Sequence, residues 1–384
     1  MKICILVNDF KKPWAEAGKN NVRAITRELA KRNEIFFIGC SDETVSFDFE
    51  GSRVYLFKSW FYNTVPARIF FIQGYINLVF RAGKIIKKEK PDIILSWFET
   101  ASTCFFSFLV KLFAHSRAKL IHAVWTDWYC LPKLCPSHFL TEHLPHLILN
   151  NRLTSRTGLC LADEIIATSK YLVERVESLG FSNIHFIPGG VDTKNFTPCF
   201  PPIMEAREKT VIGYVGHLSH TKGVSLLIEA ILPMLEKEDL RLILAVTDGE
   251  EEKIIRKLDH PRITVFNIID PPAIYNACDL VIIPRRFSYG TASYPNVALE
   301  AMSCEVPVLC SDLPAMNEIV FENRTGFFFE PNDMNALRKR IKELIKDKKH
   351  LRQVGKNARK MVKKNLDWKD ISLKIEELLK KISP

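Results

Sequence analysis

The sequence predicts an α/β protein with two doubly wound, Rossmann-like domains that face a cleft. Three observations lead to this prediction. The chain has 384 residues, which is enough for two domains that each bury a core. Apolar strand-like runs alternate with segments of helical period over most of its length. The apolar runs are continuous, which is typical of parallel strands covered by helices on both faces.

The first half of the chain contains six apolar runs that we interpret as strands. Amphipathic segments such as 21–32 and 171–180 lie between them and have the period of helices. The first run is short and ends at the polar pair Asn8-Asp9, so we expect a first strand there and not a signal peptide. The six predicted strands are 3–8, 34–40, 92–98, 119–125, 164–169 and 184–189.

The second half repeats this scheme and ends in helices. Its six predicted strands are 210–216, 241–247, 262–267, 280–284, 306–311 and 325–331. The segment 193–209 is rich in proline and has no clean period, so we place the seam between the domains there. We therefore predict domains over 1–195 and 205–365. A C-terminal segment, 366–384, contains a last amphipathic helix.

Composition and charge restrict the classes of partner. A hydrophobic content of 47% with 26% charged residues is ordinary for a soluble globular protein. The net charge of +10 would suit nucleic acid, an anionic membrane surface or a phosphorylated ligand. No recognition motif for nucleic acid accompanies the charge, so we expect no such partner. The ten cysteines form no C-x-x-C pair, which favours reduced thiols and a cytoplasmic location.

Two features bear on contact with membranes. The longest apolar runs, 69–80 and 100–110, are too short to cross a bilayer, so we expect no transmembrane helix. The segment 53–90 interleaves basic and aromatic residues. Part of it must be core helix, and the rest could lie on an anionic membrane surface. Peripheral membrane association is therefore an open alternative to a purely cytoplasmic location.

A first candidate site follows the predicted strand 210–216. The sequence GYVGHLSHTKG (213–223) runs from this strand through a short loop into a helix. Free backbone amides and the helix dipole favour an anion at such a position. Lys222 adds a positive charge there, and His217 could add another. A solvated lysine beside a structural glycine is the alternative that this pattern alone leaves open.

A second candidate site is TASYPNVALEAM (291–302), which opens a helix after the predicted strand 280–284. Asn296 is the expected N-cap of that helix. Glu300 lies four residues further, and its carboxylate can accept two hydrogen bonds from a vicinal diol such as a ribose. An exposed helix glutamate is the alternative. A third motif, IPGGVD (187–192), could equally be a plain turn at a domain edge.

Together these motifs resemble those of the retaining nucleotide-sugar glycosyltransferases of family 4, which have the GT-B fold. The resemblance runs over nearly the whole chain and includes KICILVNDF (2–10), ADEIIATSKYL (162–172), IPGGVD, VGHLSHTKG, PNVALEAM and TGFFFEPND (325–333). It implies a hexosyltransferase of glycan biosynthesis that uses a nucleotide-sugar, such as a UDP- or GDP-sugar. The acceptor would be a hydroxyl of a glycan, a lipid-linked molecule or a small molecule. The first domain would face the acceptor, the second would bind the donor, and the last helix would cross back to the first domain.

The resemblance also assigns roles to individual residues. Lys222 matches the lysine that contacts the donor diphosphate, and Glu300 matches the acid that binds the ribose. The amides of 293–297 match the loop at the sugar and phosphates. Gly18 lies where the family has a glycine-rich loop, and Asp127 lies near a loop whose His or Asp faces the donor sugar. The donor-binding candidates are thus Gly18, Gly216, Lys222, Ser293, Tyr294, Asn296, Val297 and Glu300, and the catalytic candidates are Lys222, His217 and Asp127.

Several positions depart from the family pattern. Ala292 stands where the family has a glutamate that contacts the donor sugar. His217 follows Gly216 where an arginine is common, and Glu305 stands where a turn glycine is common. If His217 replaces the arginine as a cation, activity should fall as the pH rises past neutral. Two alternatives stay open, namely a GT-B binding or partner protein with little or no transferase activity, and a nucleotide-sugar epimerase.

We expect no cofactor and no metal. The sequence contains no D-x-D pair, the usual metal-diphosphate clamp of the other glycosyltransferase fold. Departure of the diphosphate would then need fixed positive charge and a helix dipole. Lys222 is the first candidate, followed by His217 and by Arg285 or Arg286. In this family, retention is thought to need no enzyme nucleophile. A zinc site is a weak alternative because its spacings fit no zinc pattern; it would use Cys130, Cys135, His138, His143 and His146.

Overall fold

The chain forms two compact units, each built around one sheet. One unit comprises Met1–Gly189, Tyr289–Ser293 and Trp368–Pro384, and the other comprises Gly190–Ser288 and Tyr294–Asp367. Both sheets are parallel apart from one strand, so the predicted α/β fold class is confirmed. The computed structural model describes every residue except 9, 11–16, 59–66, 99, 128–150, 200–208, 248, 250, 256, 268–270, 289–291 and 384.

The first unit contains an eight-stranded sheet in the order β3-β4-β2-β1-β5-β6-β7-β8. Its strands are β1 (Lys2–Val7), β2 (Glu34–Ser41), β3 (Val45–Phe49), β4 (Ser52–Lys58), β5 (Ile93–Ser96), β6 (Lys119–Val124), β7 (Glu164–Ala167) and β8 (Ile184–Phe186). All six strands predicted in this half are present. The strands β3 and β4 are additional. Both alternate between more and less buried positions, so they form no continuous apolar run.

Helices cover both faces of this sheet. The helices are α1 (Ala17–Leu29), α2 (Ala67–Glu89), α3 (Cys104–Phe113), α4 (Arg152–Leu159), α5 (Lys170–Glu177) and the final helix α12 (Trp368–Ile382). Ile25 of α1 and Ile371 of α12 pack with Ile5 of β1. Leu6, the next residue of β1, packs with Ile86 of α2 on the opposite face, because successive strand side chains point to opposite sides. The helices α3, α4 and α5 lie on the α2 face.

The first unit buries a histidine in its core. His122 of β6 has no exposed surface. Its Nε2 lies 3.0 Å from the Thr100 carbonyl oxygen, which can only accept, so Nε2 carries the proton. The Ser96 hydroxyl therefore donates to Nδ1 at 2.7 Å. Burial lowers the pKa of His122 to about 4. This Ser–His pair is structural, because Ser96 is also fully buried.

His122 should make the protein sensitive to acid. In the unfolded chain a histidine has its ordinary pKa of about 6.5, so stability is lost as the pH falls from 6.5 towards 4. Between pH 7.5 and pH 5 the loss from this residue should be about 2 kcal/mol. Urea unfolding of the wild type and of His122→Gln at both pH values measures it. The variant should lose about 2 kcal/mol less over this interval, and equal losses would contradict the assignment.

The second unit contains a six-stranded parallel sheet in the order β11-β10-β9-β12-β13-β14, and all six predicted strands are present. The strands are β9 (Thr210–His217), β10 (Leu240–Thr247), β11 (Ile263–Asn267), β12 (Leu280–Ile283), β13 (Val308–Ser311) and β14 (Gly326–Phe329). The helices are α6 (Val224–Leu235), α7 (Glu252–Ile255), α8 (Pro271–Asn276), α9 (Asn296–Ser303), α10 (Met334–Leu344) and α11 (Lys348–Asn365).

The two units meet in sequence earlier than the predicted seam. The division falls after Gly189, whereas the sequence predicts a seam in the proline-rich segment 193–209. The segment after Gly190 belongs to the second unit through specific contacts. Arg359 of α11 donates to the Phe196 carbonyl at 3.1 Å, and the Cys199 amide donates to Asn276 at 2.8 Å. The final helix α12 groups with the first unit.

Glu305 occupies a turn that suits glycine. It follows α9 and has a φ of 62°, in the left-handed region. A residue with a Cβ is strained there by roughly 1–2 kcal/mol, and glycine is not. We expect Glu305→Gly to raise the free energy of unfolding by about 0.5–1 kcal/mol after the greater flexibility of the unfolded glycine is deducted. Urea unfolding tests this, with Glu305→Ala as a control that keeps the strain and should gain nothing.

Candidate functional site

The first two motifs lie at the carboxyl ends of neighbouring strands in the second unit. The strands β9 and β12 are paired in the middle of the sheet. A turn, His220–Lys222, follows β9 and leads into α6. A Cβ at Gly223 would lie 1.9 Å from the Pro284 carbonyl oxygen, and Gly223 has a φ of 72°. Only glycine therefore fits where the chain leaving β12 runs against this turn. Ligands of α/β proteins usually bind at the carboxyl ends of the strands, which is where both motifs lie.

Lys222 and His217 interact electrostatically at this end of β9. The Thr247 side chain bonds to Nδ1 of His217. Burial, and less strongly the Lys222 charge, lower the pKa of His217 below its ordinary value. In the ligand-free protein His217 is therefore mainly neutral at neutral pH. This moves the pH dependence expected for a His217 cation to the acid side of neutrality. Lys222 is therefore the candidate cation of this turn.

The start of α6 is already occupied by an acidic side chain. Glu251 accepts from the Ser225 amide at 3.3 Å and from the Ser225 hydroxyl at 2.8 Å. His220 Nδ1 lies 3.8 Å from the same carboxylate. The sequence predicts an anionic ligand at this helix start, and the structure places the carboxylate of the protein's own Glu251 against Ser225 there. The Ser225 amide is therefore in use, and Lys222 would act towards a diphosphate through its side chain.

The two arginines after β12 differ in their surroundings. Arg285 is buried, and burial lowers its pKa to about 10, so it stays charged at neutral pH. Interactions with Cys310 and, less strongly, with Tyr214 oppose this lowering of the Arg285 pKa. Arg286 donates to the Ser225 hydroxyl at 3.3 Å and to the Asn332 side chain at 3.2 Å. Arg286 therefore ties the chain after β12 to α6 and to the segment before α10.

The helix α9 starts one residue earlier than expected for an Asn296 cap. Pro295 is the N-cap residue, and no side chain caps the helix. The N-cap prediction for Asn296 is wrong because Pro295 already has the extended backbone of a cap. Asn296 and Val297 become the first helical residues and are half-buried. Amides in this first turn have no partner within the helix, so they can point at a ligand.

Glu300 is held by a buried tyrosine on α8. The Tyr275 hydroxyl donates to Oε2 of Glu300 at 2.7 Å, and Tyr275 has no exposed surface. Burial raises the pKa of Glu300 to about 7, although the tyrosine hydrogen bond opposes this rise. One carboxylate oxygen is thus fixed. Glu300 is half-buried overall, and its ionisation is balanced near neutral pH.

The residues before α9 are fixed by contacts of their own. The Tyr294 hydroxyl donates to Glu318 at 2.7 Å within the second unit. The Ser293 amide donates to the Trp125 carbonyl at 3.0 Å within the first unit. This corrects the expectation that the Ser293 amide contacts a donor, because it is already in use. The Ser293 hydroxyl is buried without a hydrogen-bond partner among the described residues, so it is the better candidate to meet a ligand.

The first-unit candidates surround Trp125 at the end of β6. A Cβ at Gly18 would lie 2.9 Å from the Trp125 ring, so the packing of this ring accounts for the glycine. Asp127, two residues further, is buried. It accepts from the Tyr171 hydroxyl at 2.7 Å and lies 3.7 Å from Arg175, both on α5. Asp127 is therefore a rigidly held carboxylate.

Ala292 is part of a hydrophobic core. It pairs with Thr126 in an antiparallel bridge, and it packs in the apolar cluster that contains Trp125. Only 8% of its surface is exposed. The position at which the family has a sugar-binding glutamate is thus an apolar position of the first unit in this chain.

A glutamate at this position should be harmful. We expect Ala292→Glu to lower the free energy of unfolding by about 2 kcal/mol or more, because it buries a carboxylate among apolar groups. Thermal unfolding and donor turnover of the same preparation test this, and Ala292→Gln separates size from charge. A stable Ala292→Glu variant with faster turnover would show that the position faces a ligand.

Some sequence candidates lie outside the described residues. The proposed zinc ligands, from Cys130 to His146, fall in 128–150 and therefore cannot be placed. Within the described part of the chain, no group of three or more His, Cys, Asp or Glu side chains is arranged to hold a metal ion. Two residues of the second unit that lie in none of the quoted motifs, Tyr275 and Glu251, hold candidate groups there. In the first unit Tyr171, which lies within ADEIIATSKYL but is given no role by it, holds Asp127.

The fold defines the class of protein. The chain superposes on sucrose-phosphate synthase from Thermosynechococcus elongatus with a TM-score of 0.79 over 99% of this chain and 98% of that one, at 18% identity. It superposes on Anabaena HepE, solved with UDP and glucose, with a TM-score of 0.73 over the full length of both chains, at 20% identity. This is the two-unit architecture of GT-B glycosyltransferases.

Family models identify the chain more closely. The model for glycosyltransferase family 4 matches residues 20–195, and the model for glycosyl transferases group 1 matches residues 200–361. Together the two models cover most of the chain, which belongs to the glycosyltransferases of family 4. It is also 26% identical over 235 residues to the capsular polysaccharide biosynthesis glycosyltransferase CapM of Staphylococcus aureus. That match covers 57% of this chain and 60% of CapM, so the chain spans less than two thirds of this relative.

Proposed function

We propose that this protein transfers a hexose, with retention, from a nucleotide-sugar to a hydroxyl acceptor. The observation that carries the proposal is Glu300, whose carboxylate is half-buried and fixed by Tyr275 at the start of α9. The carboxylate is fixed through Oε2, and its Oε1 and the remaining lone pair of Oε2 can accept hydrogen bonds from the two adjacent hydroxyls of a ribose. The nucleotide would be that of a UDP- or GDP-sugar.

The diphosphate would lie between the first turn of α9 and the Lys222 side chain. Asn296 and Val297 supply amides at the positive end of the helix dipole. Lys222 supplies a full charge as the leaving group takes up negative charge. Gly216 leaves room at the end of β9, where a Cβ would already lie 3.3 Å from the Tyr214 hydroxyl. The proposed mechanism needs no enzyme nucleophile and no resident metal or cofactor.

The first unit would supply the contacts to the sugar. Asp127 is a buried carboxylate that Tyr171 and Arg175 hold in place, as an acceptor for sugar hydroxyls requires. The buried Ser293 hydroxyl offers a further hydrogen-bonding group. We assign the sugar end to Asp127 and Ser293, and we assign Gly18 to the close packing that keeps Trp125 in place beside them.

We propose that the acceptor is a hydroxyl of a glycan, a lipid-linked molecule or a small molecule. We also propose that the protein is a cytoplasmic enzyme that meets its acceptor at a membrane surface. The kinship with CapM, a glycosyltransferase of capsular polysaccharide biosynthesis, supports an acceptor of the glycan class. HepE was solved in complex with UDP and glucose, which supports a UDP-sugar as the first donor to test.

A panel of UDP-, GDP- and ADP-sugars tests the proposal. Thermal shift should show one nucleotide stabilising the protein by mass action. Incubation of that nucleotide-sugar with acceptor extracts should release the nucleoside diphosphate, and NMR of the product should show a retained anomeric configuration. If no nucleotide or nucleotide-sugar stabilises the protein, the proposal fails.

A binding protein without transferase activity is the second candidate. The observation in its favour is Ala292, which is packed in an apolar cluster where the family has an acid. Stabilisation by a nucleotide-sugar without release of nucleoside diphosphate, with every acceptor tried, would select this candidate. The same assay would reveal an epimerase through a changed sugar on an intact nucleotide.

A further inference from the structure

The helices α2 and α3 of the first unit expose large apolar side chains. Four of these side chains keep between 42% and 56% of their surface exposed, and they are Phe80, Phe105, Leu112 and Phe113. The Phe80 and Phe113 rings are in edge contact at 4.8 Å, so the two helices share one apolar surface. Contiguous apolar surface on a soluble protein usually marks a contact with a partner or a membrane.

The exposed side chains form one stripe on each helix. On α3, Phe105, Leu112 and Phe113 are seven and eight residues apart, which places them on one side of the helix. On α2, Phe80 is followed by Lys84, Lys87 and Lys88 at spacings of four, seven and eight. All three lysines are exposed. We call these two stripes together the α2–α3 face.

The charge of α2, α3 and α4 is mainly of one sign, whereas α5, further along the same face, carries both Glu174 and Glu177 as well as Lys170 and Arg175. The helices α2, α3 and α4 lie side by side on the same face, and Glu89 is their single acidic residue. Glu89 forms an ion pair with Lys2 at 2.8 Å, and Lys2 also pairs with Glu34 at 2.7 Å. The basic residues of these helices whose side chains the structure describes are Arg81, Lys84, Lys87, Lys88, Lys111, Arg152 and Arg156.

We propose that the α2–α3 face docks on an anionic phospholipid bilayer. Phenylalanine and leucine side chains would enter the boundary between headgroups and acyl chains, and Lys84, Lys87 and Lys88 would meet the lipid phosphates. A continuous anionic surface suits a row of lysines with almost no acid beside them. No helix of the described residues is both long and apolar enough to cross a membrane. The proposal therefore concerns docking on the surface. It deepens the proposed function, since it brings the enzyme to lipid-linked acceptors.

Vesicle co-sedimentation tests the proposal. The full chain is mixed with phosphatidylcholine vesicles, with or without about a third of phosphatidylglycerol, and no donor or acceptor is added. Binding should require the anionic lipid and weaken with salt. Lys84→Glu/Lys87→Glu should lower partitioning by about tenfold or more, and Phe80→Ser/Phe113→Ser by roughly tenfold. Phe105→Ser/Leu112→Ser is a second apolar variant in case the first one is unstable.

Matched controls come from α12, on the opposite face of the same sheet. Leu373 is 40% exposed there, and Lys374 and Lys381 are exposed. Leu373→Ser and Lys374→Glu/Lys381→Glu should leave partitioning unchanged. Absence of binding to anionic vesicles, or equal losses in both sets, would overturn the proposal.

Light scattering separates a lipid partner from a second copy of the chain. If the wild type is a dimer that Phe80→Ser/Phe113→Ser converts to a monomer, the α2–α3 face is a dimer interface and the proposal is overturned. Because vesicle binding is measured without substrates, its failure leaves the proposed transferase untouched. Conversely, failure of donor binding leaves the docking surface standing.

Discussion

Lys222→Ala should lower turnover at saturating donor by about 10²–10³-fold, the usual loss when one fixed group that stabilises developing charge is removed. Neighbouring basic groups are poor substitutes for its charge. His217 is mainly neutral at neutral pH, and Arg286 is engaged with Ser225 and Asn332. Steady-state release of nucleoside diphosphate measures the effect. The melting temperature should stay close to that of the wild type, since Lys222 is half-buried at a turn and not in a core.

Two further variants make this result specific. Lys222→Arg keeps the charge and should retain more turnover than Lys222→Ala. Lys237→Ala removes an exposed lysine just after the other end of α6 and should leave turnover unchanged. If Lys222→Ala keeps most of the wild-type turnover, or if Lys237→Ala loses as much, Lys222 does not contact the diphosphate.

The main strands of both units could be predicted from the sequence because they are buried on both faces. Ile3–Val7 and Leu280–Ile283 show this pattern, with nearly every residue buried. A continuous apolar run of this kind can be recognised in the sequence without knowing which other elements pack against it. The strand β3 leaves no such signal, because it lies at a sheet edge and every second residue is exposed.

The details of the site could not be predicted in the same way, because they depend on partners distant in sequence. Glu251 reaches Ser225 across 26 residues, and Tyr275 reaches Glu300 across 25. In the sequence, Glu251 is one of three adjacent glutamates and looks like a solvated charge. The burial of Ala292 depends on Trp125, from another part of the chain. The motifs thus point to a candidate site, and only the packing shows which of its groups already have partners within the protein.

Glu300 should make donor affinity depend on pH. Its pKa of about 7 means that only a minor fraction is ionised at pH 6 and a major fraction at pH 8. If the ribose needs the carboxylate, the Kd for the donor should be about tenfold lower at pH 8 than at pH 6. A nucleotide-sugar is the right probe, because its diphosphate is a diester without an ionisation in this range. Titration calorimetry measures the Kd, and Glu300→Gln should bind more weakly and lose this dependence.

A variant of Tyr275 tests whether the pH dependence of donor affinity arises from Glu300. Its hydroxyl donates to Glu300 and holds the pKa of that carboxyl lower than burial alone would set it. Tyr275→Phe should therefore move the midpoint of the affinity profile to higher pH, so that binding at pH 7 weakens more than binding at pH 8.5. Tyr294→Phe removes an equally short bond, to Glu318, and should leave the midpoint in place. If the midpoint pH is unchanged in Tyr275→Phe, the pH dependence arises from another group, and the proposed contact between Glu300 and the ribose loses its support.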